Sequence, residues 1–101
     1  MQFLYVLKLT PRLVQPENWT QEDEAIVGEH FNYLKKLLAE GKLILAGKTD
    51  GIDEKTFGVV VFEAGSREEA DAVMLGDPAV AKGVMAAELF PYRVALLRGG
   101  Q

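Results

Sequence analysis

The chain has 101 residues, 49% of them apolar and 26% charged, which fits one soluble domain, residues 1–101, around a single core. Eleven basic residues against fifteen acidic ones give a net charge of -4, and no basic run occurs, which excludes a sequence-independent grip on nucleic acid. Cysteine is absent, so disulfides, thiolate nucleophiles and cysteine-ligated metals are excluded as well.

Residues 1–8 lack a charged start and a small-residue cleavage site, and their apolar run is far too short to span a bilayer; a cytoplasmic protein without membrane contact is expected. Within them begins the first strand, over residues 3–9, rich in aromatic and aliphatic side chains and stopped by Pro11. Residues 11–19 hold two prolines and no period, and are expected to form a loop. Thr20 then caps a helix whose first turn carries Glu22, Asp23 and Glu24, suited to the free N–H groups there.

Along that helix Ile26, Val27, Phe31, Leu34, Leu37 and Leu38 recur at helical spacing until Gly41 stops it. A short strand over 42–46, a turn-rich stretch, and a clear strand over 57–63 follow, the two strands pairing antiparallel. Ser66-Arg67-Glu68-Glu69 matches a capping box, opening a helix that runs to Leu75 and ends at Gly76. Asp77-Pro78 starts a short helical turn, and residues 84–97 supply a last strand interrupted near Pro91. The order βαββαβ predicts a ferredoxin-like α+β sandwich with a four-stranded antiparallel sheet.

Two helices cannot cover two apolar sheet faces. Phe3, Tyr5, Leu7 and Leu9 point one way while Leu4 and Val6 point the other, and residues 57–62 and 94–97 repeat that pattern. A homodimer paired through the sheet is the simplest cover for the second face; nothing in the sequence limits further assembly into a higher homo-oligomer. Arg93 and Arg98 fall where they would be rim charges of such a dimer.

His30 is the sole histidine. It lies four residues after Ile26 and four before Leu34, on or beside the apolar stripe, so it faces the core or a cleft. A packed, neutral core histidine and a proton-transferring imidazole are both compatible with that position. With one histidine and no cysteine, no metal site is expected. Trp19 and Tyr33 are candidate pocket residues able to stack on an aromatic ligand, and Lys48, after a glycine in a turn, could meet an anionic group. No Ser-His-Asp order or phosphate-cradling glycine loop is present.

Taken as a series, Glu29-His30-Phe31-Asn32-Tyr33-Leu34, Gly41-Lys42-Leu43-Ile44-Leu45-Ala46-Gly47, Ser66-Arg67-Glu68-Glu69-Ala70 and Gly76-Asp77-Pro78 resemble the YCII-related (YciI-like) family of the dimeric α+β barrel superfamily. The similarity runs in order from the first strand to Phe90-Pro91-Tyr92. It implies a ferredoxin-like protomer, a dimer whose sheets form a barrel, and a cleft in which His30 and Asp77 work as a catalytic pair. Acid-base chemistry without a cofactor on a small aromatic or lactone-like metabolite is the activity it implies. The rival readings are a non-catalytic small-molecule-binding dimer and a purely accessory one. Many relatives carry arginine in the helix before the histidine, where residues 21–28 of this chain have none.

Overall fold

The computed structural model describes residues 1–99. Strand β1 (Gln2–Leu9) leads through two 3-10 turns, Pro11–Val14 and Pro16–Asn18, into helix α1 (Gln21–Ala39). Then come β2 (Leu43–Lys48), β3 (Phe57–Glu63), α2 (Arg67–Gly76), the single-turn α3 (Pro78–Ala81) and β4 (Met85–Tyr92). The strands form one sheet in the order β2-β3-β1-β4, every neighbouring pair antiparallel. This is the ferredoxin-like α+β arrangement.

Local chemistry sets the helix ends. The Asp23 amide donates to the Thr20 hydroxyl at 3.1 Å and the Thr20 amide donates to the Asp23 carboxylate at 2.9 Å, a complete capping box, of which the Thr20 cap stabilises the helix by about 1 kcal/mol. At the other end Gly41 turns the chain with φ 77°, a conformation that costs glycine little. In α2 only the serine half of the expected box forms: the Glu69 amide donates to Ser66 Oγ at 3.1 Å.

All three helices lie on one face of the sheet. Phe3, Tyr5 and Leu7 of β1, Val60 and Phe62 of β3 and Leu89 of β4 pack there against Leu34 and Leu37 of α1 and Ala70 and Met74 of α2. Burying each such large side chain contributes roughly 1.5–3 kcal/mol. The Tyr5 and Phe62 rings meet edge to face, centroids 5.7 Å apart, an arrangement their quadrupoles favour. A second cluster of Leu13, Ile26 and Val84 anchors the 3-10 segment under the N-terminal half of α1.

Among the described residues, no helix or strand covers the other sheet face. The strand registers place Leu4 beside Val61 and Phe90, Val6 beside Val59, and Leu45 beside Val61, so its centre is apolar. Gln2, Lys8, Glu63 and Glu88 share that face toward its margins.

Three local expectations need correction. The segment 11–19 is two 3-10 turns rather than an unstructured loop. Strand β2 starts one residue later and runs two residues further than 42–46, with a bulge between Leu43 and Leu45. The last strand ends at Tyr92, not near residue 97, and Pro91 lies inside it opposite Phe3. Proline is tolerated there because β4 is an edge strand with no neighbour to receive its missing N–H. The ladder stops where β1 starts: Gln2 pairs with Tyr92, and the Val94 amide donates instead to the Gln2 side chain at 2.8 Å.

Candidate active site

A cavity of about 570 Å³ opens between α1 and the β2–β3 end of the sheet, within the range of small-molecule sites. Ala46, Gly47 and Gly58 are small residues that line it from the strands, and Gly28 lines it from α1. Leu7, Val27, Leu34, Val60 and Met85 make the walls apolar. Glu24, His30, Lys48 and Thr56 are the polar exceptions, together with Trp19.

His30 and Asp77 meet at the cavity wall. Nδ1 of His30 lies 2.7 Å from Asp77 Oδ1 and 2.9 Å from Oδ2; the imidazole is 12% exposed and the carboxylate not at all. Asp77 is also the N-cap of α3, accepting from the Ala79 amide at 3.0 Å. Its second oxygen accepts from the Tyr5 hydroxyl at 2.8 Å. One carboxylate thus serves as cap and as partner of the histidine, which its two oxygens permit.

The donor inventory assigns the histidine tautomer. Tyr5 and Ala79 already offer their hydrogens to Asp77, so the carboxylate acts as acceptor and the contact with His30 is completed by an Nδ1–H donor. A neutral ring then carries its lone pair on Nε2, the nitrogen not engaged by Asp77. The ring borders the cavity. Among the described residues no buried side-chain nitrogen or oxygen lacks a partner.

Tyr5 is a member of this network that its sequence context hides. Burial is the main cause that pushes its phenol far above the usual tyrosine value, with the Asp77 charge and hydrogen bond adding to it. A tyrosine in an otherwise apolar strand does carry one signal, because a buried hydroxyl must find a partner.

The remaining candidates separate. Trp19 lines the cavity, its indole N–H donating to the Leu13 carbonyl at 2.9 Å. Lys48 lines it from β2, its ammonium donating to the Thr49 carbonyl at 2.7 Å. Tyr33 is not among the lining residues: its hydroxyl donates to the Val73 carbonyl at 2.8 Å, and burial raises its phenol. A Cβ at Gly76 would come within 3.1 Å of that hydroxyl, so the glycine makes room for Tyr33.

The 3-10 segment bordering the site is fastened to α1. Arg12 donates to both Asp23 oxygens, at 2.9 and 2.8 Å, and its hydrogen bonds are the chief cause holding the Asp23 carboxyl well below the usual carboxylate range, with the Thr20 amide second. Among the described residues there is no group of three or more His, Cys, Asp or Glu placed to hold a metal, and no helix is long and apolar enough to cross a membrane.

No functionally curated protein matches this chain. Among solved structures, 5-chloro-2-hydroxyhydroquinone dehydrochlorinase (TftG) from Burkholderia phenoliruptrix AC1100, in complex with 2,5-dihydroxybenzoquinone, superposes with a TM-score of 0.69 at 26% sequence identity. The match covers 92% of this chain and 94% of that one. The YCII-related domain matches residues 1–92, and the chain therefore belongs to the YCII-related family.

Proposed function

We propose that this protein is a small enzyme that moves a proton on a small aromatic or lactone-like metabolite, with His30 as general base and acid and Asp77 orienting it. The observation that carries this reading is the 2.7 Å contact between His30 Nδ1 and the fully buried Asp77 at the wall of an apolar cavity. A hydroxyl or an acidic C–H brought to Nε2 gives up its proton to the ring. The imidazolium so formed is balanced by Asp77, and the proton then returns to another substrate atom or accompanies a leaving group. Such a cycle uses only side chains, substrate and solvent, so no cofactor is invoked.

The apolar walls exclude water and favour a ring, and Trp19 offers a face for stacking. Lys48 supplies the positive charge that would attract a phenolate or carbonyl oxygen. The dehydrochlorination of a hydroxyhydroquinone by the structural relative is a reaction of this class, and it makes hydroxylated rings the first compounds to try. A homodimer through the open sheet face belongs to the same reading, supported by the apolar centre made by Leu4, Val6, Leu45, Val59, Val61 and Phe90.

A panel of hydroxyquinones, chlorinated hydroquinones and unsaturated lactones incubated in D2O tests the proposal, with deuterium uptake and product formation read by mass spectrometry and NMR. Wild type should turn over at least one member and His30→Ala should lose that activity while remaining folded by circular dichroism. Equal turnover by the two proteins contradicts the role given to His30.

A further inference from the structure

Gly28 occupies the eighth position of the 19-residue α1, where glycine is a poorer helix former than any residue but proline. Neither usual cause of a glycine applies. Its φ is not positive, and a Cβ built there meets nothing within 4 Å. Gly58, on the opposite wall, differs: a Cβ there would come 3.3 Å from the Gly47 carbonyl oxygen. What lies in front of Gly28 is the cavity itself, on the helix face that also carries Glu24 four residues earlier and Phe31 three residues later.

We infer that Gly28 sets the size of ligand the cavity takes: its missing side chain leaves room for a second fused ring, or a substituent of similar bulk, on a planar aromatic ligand whose reacting atom faces His30 Nε2. The inference rests on the cavity being the ligand site proposed above. It follows that helix stability and ligand bulk are opposed at this position. A methyl group would favour the helix and occupy the space the ligand needs, without striking protein atoms.

Calorimetric binding of 2,5-dihydroxybenzoquinone (one ring) and 2-hydroxy-1,4-naphthoquinone (two rings) to wild type, Gly28→Ala and Gly28→Leu tests this. Quenching of Trp19, the sole tryptophan and a wall of the cavity, reports where they bind. Wild type should bind both compounds. Gly28→Ala should raise Tm by roughly 4–8 °C and weaken the two-ring compound by about tenfold or more, and the one-ring compound less. Gly28→Leu should abolish two-ring binding. Unchanged two-ring affinity in Gly28→Leu overturns the inference, as does wild type binding neither compound. A changed oligomeric state at unchanged affinity overturns it too, by placing Gly28 in an interface. Retained turnover by His30→Ala would defeat the proton-transfer reading separately, leaving the size dependence at Gly28 to stand or fall on binding.

Discussion

The Tyr5 hydroxyl donates to Asp77 Oδ2 at 2.8 Å across 72 positions of sequence, with both residues wholly buried. Inner strand β1 is thereby tied to the carboxylate that holds His30. Fold stability and site geometry share this bond.

Tyr5→Phe keeps the ring and removes only the donor. Leaving a buried acceptor short of one partner costs about 1–3 kcal/mol, which urea denaturation at neutral pH should register. Because the folded phenol is raised, its contribution is fully present below the ordinary tyrosine value of about 10 and is lost as pH rises above it. The stability gap between wild type and Tyr5→Phe should therefore narrow on the alkaline side. A gap constant through pH 11 would mean the hydroxyl is not buried against Asp77.

Asp23 behaves in the opposite sense. Its carboxyl is held down by Arg12 and the Thr20 amide, so its stabilising contribution is present above about pH 4 and lost as pH falls below it. Asp23→Asn should be less stable than wild type at pH 6, and the gap should narrow steadily as pH falls from about 4 toward 2. Parallel acid-unfolding curves would contradict the ion pair.

Asp77→Asn removes the carboxylate while keeping an oxygen able to cap α3. Its amide can no longer accept from all three donors, so the imidazole loses its fixed orientation. Turnover should fall by about a hundredfold or more, with a smaller loss of stability than the unpaired cap of Asp77→Ala. Undiminished turnover in a folded Asp77→Asn would confine Asp77 to capping.

Val6→Lys places a charge at the centre of the open sheet face, on the side of β1 away from Tyr5 and Asp77. Light scattering should give a dimer for wild type at micromolar concentration and a monomer for the variant. A wild-type monomer would dismiss the proposed pairing of sheets.

Strand β3 and the start of α1 are legible in the sequence because their causes are local: an unbroken Val59-Val60-Val61-Phe62 run in one case, Thr20 with three following acids in the other. The end of β4 is not, since it is decided by where β1 begins and so by pairing partners 90 residues away. The same division holds at the site. Asp77 is legible as a cap from the proline after it, and His30 as an inward residue from its helical phase. Their contact spans 47 positions, and only the family resemblance points to it. Tyr5 and Gly28 escape because one looks like any strand aromatic and the other like a weak spot in a helix until the cavity beside it is seen.

The tautomer of His30 tests the account most directly. As the sole histidine it gives a single imidazole spin system in a long-range proton–nitrogen NMR spectrum, recorded where the ring is neutral. The account predicts that Nδ1 carries the hydrogen and that Nε2 shows the shift of an unprotonated nitrogen. A spectrum with the hydrogen on Nε2 would contradict it, because the nitrogen not engaged by Asp77 could then not act as a base.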